Sequence, residues 1–326
     1  MILHALQSGE GQPVVLLHGL FGAARNFGGV QRALAHRFRV IALDMRNHGD
    51  SPHGADMSYP TQARDVLETL RSLDVGPAAV IGHSMGGKAA MALALEFPAS
   101  VGRLLVADIA PVAYQHGNAA IADAMRAIAL TPSLTRQAAD TALAPVVPRQ
   151  DVRAFLLQNL RFGDPPCWRI GLTEIAAAIA DLEGWEAGAF GVIGSEDREP
   201  MTDCYGRNGT MGLGPKPFPG QASNPRHGSG IVSSSGITQE PGASSQSGHG
   251  GKTFLAAQAP RRSVYTGPTL FVTGANSDYV LPEHRPLIRE QFPAARFVAV
   301  KNAGHWVHAD NPAGFLSVLE AFLHDW

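Results

Sequence analysis

The chain has 326 residues, enough for one large α/β domain with an inserted subdomain or for two ordinary domains, neither needing disulfides. Hydrophobic residues make up 45% and charged residues 17%, as in soluble globular proteins, and a net charge of −2 excludes the broad attraction that nucleic-acid or acidic-membrane binding requires. The two cysteines, Cys167 and Cys204, have no CxxC spacing, so free thiols without metal or redox work are expected.

The first stretch, MILHALQSGEGQPV, has no basic start and no apolar run long enough for a signal peptide. Nothing further along approaches the roughly 18 uninterrupted apolar residues of a membrane span. A cytoplasmic protein is the default expectation. Four short apolar runs follow: PVVLLHG (13–19), FRVIALD (38–44), AAVIGHS (78–84) and RLLVADI (103–109). Runs this continuous suit strands buried on both faces, which means a parallel sheet. Between them, TQARDVLETLRSL sets Ala63, Val66, Leu67, Leu70 and Leu73 at helical spacing behind Pro60, and reads as a helix lying on that sheet.

After Pro111 the texture changes. IADAMRAIAL, SLTRQAADTAL, DVRAFLLQNL and LTEIAAAIADL are amphipathic helical patterns with no strand among them. Such a segment is too small for a comfortable domain of its own and well suited to sit on something else. From about Gly191 the chain is dominated by Gly, Ser and Pro and cannot bury enough surface to offset its ordering entropy, so a disordered insertion is expected there. Strand texture returns at TLFVTGA (269–275) and RFVAVKNAG (296–304), and PAGFLSVLEAFLHDW forms the last helix. The resulting division is 1–111 and 263–326 for the two parts of the core, 112–190 for a helical cap and 191–262 for the insertion.

Gly-His-Ser-Met-Gly at 82–86 follows a strand and opens the helical run KAAMALALEF, the setting of a nucleophile elbow. Small neighbours at Gly82 and Gly86 let the chain turn sharply and raise the Ser84 hydroxyl above the sheet. Ser84 stands at a helix amino terminus, so the free N–H of Met85 points toward charge developing on a bound carbonyl oxygen. The second oxyanion donor is expected from LLHGLFG, with the N–H of Leu20 first and that of Phe21 next; His18 is read as a structural hydrogen-bonder in that turn. The base must be a histidine that reaches the carboxyl edge of the sheet. Of the 13 histidines, His305 directly follows the last strand, while His308 stands three residues further on. Metal binding by that pair lacks an HExxH pattern or a carboxylate set.

The acid has two candidates. After the penultimate strand, TLFVTGANSDYV holds Ser277 where Gly-x-x-Asp would put a carboxylate, and Asp278 comes one place late. Asp108, in LLVADIAP, ends the strand beside the one carrying Ser84 in a doubly wound sheet, from which a carboxylate reaches the histidine laterally. Asp108 is the preferred acid and Asp278 the alternative.

Together LLHGLFG, LDMRNHGDSPH, VIGHSMGGKAAMALAL, VADIAPV, GANSDYV and NAGHWVHAD resemble the α/β-hydrolase superfamily, and more closely the YbfF-type esterases and their mitochondrial relatives. The resemblance implies an α/β-hydrolase fold, with a mostly parallel doubly wound sheet and a helical cap inserted after strand 6. It carries Ser84 and His305 over directly and matches the position of the acid, after the sixth strand, to Asp108. It also implies a carboxylesterase or acyl thioesterase without cofactor, acting on small-molecule esters or thioesters. Arg46, His48 and Lys88 are read as structural, and none of the candidate residues falls in the insertion. The cap is expected to line an acyl pocket for small to medium chains. Two other functions stay open: another chemistry on the same fold, such as C–C bond hydrolysis or a cofactor-free lyase, and a non-catalytic ligand binder.

Overall fold

The computed structural model describes residues 1–186 and 263–326. In chain order the first half consists of β1 (Ala5–Ser8), β2 (Gln12–Leu17), α1 (Gly28–Leu34), β3 (Phe38–Leu43), α2 (Tyr59–Ser72), β4 (Ala78–His83), α3 (Met85–Glu96) and β5 (Val101–Ala107). Then come α4 (Asn118–Arg126), α5 (Arg136–Leu143), α6 (Gln150–Leu156), β6 (Leu160–Arg161), β7 (Cys167–Trp168), α7 (Leu172–Ala177) and α8 (Ile179–Glu183). The last part holds β8 (Thr269–Gly274), α9 (His284–Gln291), β9 (Ala295–Val300), α10 (Val307–Asp310) and α11 (Pro312–Phe322).

Among the described residues seven strands form one sheet in the order β1-β3-β2-β4-β5-β8-β9. Only β1 is antiparallel to its neighbour. This is the α/β-hydrolase fold; Asp108 and the helical segment, expected to follow a sixth strand, follow the fifth strand of this chain. Period-two alternation along each strand divides the core into two layers. Val14, Leu16, Val40, Ala42, Ala79 and Ile81 face Phe27, Leu34, Phe315 and Leu319 on one side. Val15, Leu17, Ile41, Leu43 and Val80 face Val66, Leu70, Met91 and the helical segment on the other. Each fully buried Val, Leu or Ile contributes about 1.5–3 kcal/mol to that packing. Every residue of α3 is buried: its Gly, Ala, Met and Leu residues suit the core, and the polar Lys88 and Glu96 are buried with them.

In one place the helical segment departs from expectation. β6 and β7 pair antiparallel, Leu160 with Trp168 and Arg161 with Cys167. Gly163, Pro165 and Pro166 break the helix and turn the chain back on itself, and each strand of the ladder is too short to register as an alternating pattern. Cys167 is an exposed free thiol. The expected insertion at 191–262, with Cys204, and the end of the cap beyond 186 lie outside the described residues.

Candidate active site

β4 runs into α3 through Ser84, whose backbone sits at φ 52° and ψ −119°. A non-glycine residue at positive φ carries about 1–3 kcal/mol of strain and persists only where its surroundings hold it. Here Ser84 N–H donates to the Ala107 carbonyl at 3.0 Å, and the Ser84 carbonyl accepts from Lys88 N–H at 3.0 Å. Glycine at 86 follows from close approach, since a Cβ there would stand 2.3 Å from the Leu17 carbonyl oxygen.

Asp108 leaves the end of β5 at φ 53° and is fully buried. Its N–H donates to the Val272 carbonyl at 2.8 Å, which ties it to the next strand, β8. Oδ1 accepts from Gly274 N–H at 3.0 Å, and Oδ2 accepts from His305 Nδ1–H at 2.9 Å and from the Ser277 hydroxyl. With Nδ1 committed as donor to a carboxylate, Nε2 of His305 keeps its lone pair, and it lies 3.0 Å from Ser84 Oγ. Ser84, His305 and Asp108 therefore form one hydrogen-bonded chain, whereas Asp278 makes no hydrogen bond to His305. Burial pushes the imidazole below its ordinary value, with His116 adding to the effect against Asp278 and Asp310. Burial likewise pushes the Asp108 carboxyl up, against the hydrogen bonds from Ser277 and Gly274.

Leu20 and Met85, the expected oxyanion donors, stand beside the elbow. Gly19 abuts the elbow so closely that a Cβ on it would lie 3.2 Å from Ser84 Cβ, and Leu20 and Met85 both line the adjoining cavity. Neither the Leu20 nor the Met85 N–H has an acceptor among the described residues. Phe21, next in order on sequence grounds, is already engaged: its N–H donates to His48 Nε2 at 3.1 Å.

The remaining residues singled out from sequence hold the frame. His18 donates from Nδ1 to the Gly19 carbonyl at 2.8 Å and accepts Met45 N–H at Nε2 at 2.9 Å, and burial pushes it down to about 4. Arg46 is buried against Asp65, 2.5 Å away. Lys88 donates to the carbonyls of Glu183 at 3.0 Å and Gly184 at 2.7 Å, fastening α3 to the carboxyl end of α8 between the rings of Tyr59 and Tyr114. His308 packs its ring 4.8 Å from that of Phe27 and makes no hydrogen bond to Ser84. His83, which the motif reading leaves without a role, donates from Nε2 to the His305 carbonyl at 2.8 Å and so pins the histidine loop to the elbow.

Above Ser84 lies a cavity of about 400 Å³. The helical segment supplies Ile121, Val152, Phe155, Leu156 and Leu182 to its wall. His4, Asp44 and Asp50 bring three potential ligand atoms within 4.8 Å of one another, but the Asp44 oxygens already accept from Ala24 N–H, Asp50 N–H and His4. Ser277, noted in sequence only as the residue in place of an acid, donates to Asp108, and Tyr279, which carries no local sequence signal, stacks on His305.

Residues 12–158 match the family model of the α/β hydrolase fold. The mouse sn-1-specific diacylglycerol lipase ABHD11 is 34% identical over 319 residues, which is 95% of this chain and 80% of that relative. Esterase YbfF of Escherichia coli is 29% identical over 314 residues, 96% of this chain and 93% of its own. Among solved structures, a marine microorganism esterase superposes with a TM-score of 0.72 at 28% identity, covering 98% of this chain and 99% of that one.

Proposed function

The chain belongs to the α/β-hydrolase family, and from that premise we propose that it is a serine esterase working through Ser84, His305 and Asp108. The observation that carries this function is the hydrogen-bond chain from Ser84 Oγ through His305 to Asp108, at 3.0 Å and 2.9 Å, on the floor of a cavity. His305 Nε2 takes the Ser84 proton as Oγ attacks the substrate carbonyl carbon. The oxygen of the tetrahedral intermediate accepts from the N–H groups of Leu20 and Met85, which have no other acceptor to give up. His305 then returns its proton to the departing alcohol, leaving an acyl group on Ser84. A water molecule, deprotonated by the same imidazole, attacks that acyl carbon, and Ser84 leaves with the proton. Asp108 holds His305 in the Nδ1–H tautomer throughout and stabilises its cationic form. No cofactor takes part in any step.

The apolar wall from Ile121 to Leu182 and a volume near the lower end of the roughly 300–1,000 Å³ found for small-molecule sites suit small to medium acyl chains. Thioesters enter the same scheme, because the leaving thiolate needs no more from His305 than an alkoxide does. The relatives are esterases and a diacylglycerol lipase by name, which supports the reaction class. A fluorophosphonate probe tests the assignment directly. Covalent labelling of the wild type and its loss in Ser84→Ala are expected, together with hydrolysis of p-nitrophenyl esters ranked from acetate to laurate. A wild-type protein that neither labels nor hydrolyses any activated ester refutes it.

A further inference from the structure

Taking His305 as the base of that reaction, we infer that Tyr279 is a positioning residue, its ring clamped so that one face fixes the tilt of the imidazole and receives it when it carries the serine proton. The Tyr279 and His305 rings are stacked with centroids 3.6 Å apart and planes 18° from parallel. On Tyr279 a second imidazole, His116, stacks at 4.0 Å and 17°. Two rings so close and so nearly parallel to one six-membered ring cannot share a face, so the phenol ring lies between the two imidazoles.

The clamp is tied down at both ends. The Tyr279 carbonyl accepts from the Tyr114 hydroxyl at 2.7 Å, and that hydroxyl accepts from Ala110 N–H at 2.8 Å. Tyr279 N–H donates to Ser277 Oγ at 3.3 Å, and Ser277 in turn donates to Asp108. The hydrogen bonds of His305 leave a freedom that the stack removes. Bonds to Nδ1 and Nε2 fix two atoms of the ring, and a tilt about the line joining them is the motion they resist least. A flat contact on one face opposes that tilt. It also acts on charge, since the electron-rich face of a tyrosine attracts a cation above it, most strongly where water is excluded. Other groups facing His305 are Asp108, Asp278 and Asp310, which favour its protonation, His116, which opposes it, and the rings of His83 and His308. The Tyr279 hydroxyl has no hydrogen-bond partner among the described residues, so the ring carries the effect.

Tyr279→Leu and Tyr279→Phe separate ring from hydroxyl, with Tyr279→Met as a substitute should the leucine variant fail to fold. In Tyr279→Leu we expect kcat to fall roughly tenfold with little change in KM, and the acid limb of the pH profile to move down by up to about one unit. Tyr279→Phe recovers most of that loss. In proton NMR spectra the His305 ring signals are shifted upfield by the tyrosine ring, retain that shift in the phenylalanine variant and lose it in the leucine variant. A leucine variant with wild-type kcat and pH profile, in a protein that still labels at Ser84, overturns the positioning role alone. So does a phenylalanine variant as impaired as the leucine one. Failure of the wild type to label, with the upfield signals present, overturns the esterase function and the role of Tyr279 in it while leaving the stack intact.

Discussion

Replacing Asp108 by asparagine exchanges one acceptor oxygen for an amide donor at a position with two oxygens and three donors to satisfy. Oδ1 accepts Gly274 N–H at 3.0 Å, and Oδ2 accepts both His305 Nδ1–H at 2.9 Å and the Ser277 hydroxyl. If the new amide faces His305, it donates to Nδ1 and forces the other tautomer. Nε2 then carries a hydrogen toward Ser84 and cannot take the serine proton. If the amide faces Gly274 instead, two donors oppose each other at a fully buried site, at a cost of about 1–3 kcal/mol for the unsatisfied group. The first arrangement is the cheaper, so kcat should fall by roughly 10³–10⁴, equivalent to about 4–5.5 kcal/mol in the barrier, with KM little changed. Asp278→Asn removes only a through-space charge and should stay within about threefold of wild type. Steady-state kinetics on one activated ester, with both variants checked for folding by circular dichroism, decide the matter. A crippled Asp278→Asn beside an active Asp108→Asn would refute the assignment of the acid and the tautomer argument with it.

The pH profile should carry the mark of burial on His305. The imidazole must be neutral to accept the serine proton, so activity is lost as pH falls through its pKa; burial lowers that value, which moves the loss to more acid pH than the ordinary 6.5. The expected kcat/KM at pH 6 is within about twofold of that at pH 8, and an acid limb centred at or above 6.5 contradicts the environment described for the ring. Lys88→Met removes a buried ammonium from the Glu183 and Gly184 carbonyls and leaves both without that donor. A loss of about 2–3 kcal/mol and a fall in Tm of roughly 4–10 °C should follow, and a melting curve equal to that of wild type would count against Lys88 as the fastener between α3 and α8.

Much of the sheet is legible in sequence because its central strands are covered on both faces and therefore appear as unbroken apolar runs. The exceptions share a cause. β1 has intermediate and exposed residues and pairs on one side only, so ALQS shows no buried face. β6 and β7 are two residues each, below the length at which alternation exists. In the same way, Ser84 and His305 can be found from local context, since a strand–turn–helix and a loop after a strand are properties of neighbouring residues. The stacked rings of His116, Tyr279 and His305 cannot, because sequence pattern carries no distance between separate loops.

The proposed acid, Asp108, lies between these cases, and the geometry explains why it competes on paper with Asp278. Ser277 occupies the place where Gly-x-x-Asp would put a carboxylate, and its hydroxyl donates to Asp108 Oδ2. An aspartate at 277 would set a second carboxylate against a fully buried one, and two such groups in contact cannot both ionise. One would have to keep its proton and donate it to the other, so a carboxyl at 277 would act there only as a donor and add no charge beside Nδ1 of His305. A hydroxyl at 277 is therefore the chemical counterpart of a carboxylate at 108: the strand that does not supply the acid supplies a donor to it. What looks in sequence like a damaged acid motif is the neutral half of a coupled choice, visible only once β5 and β8 are known to lie side by side.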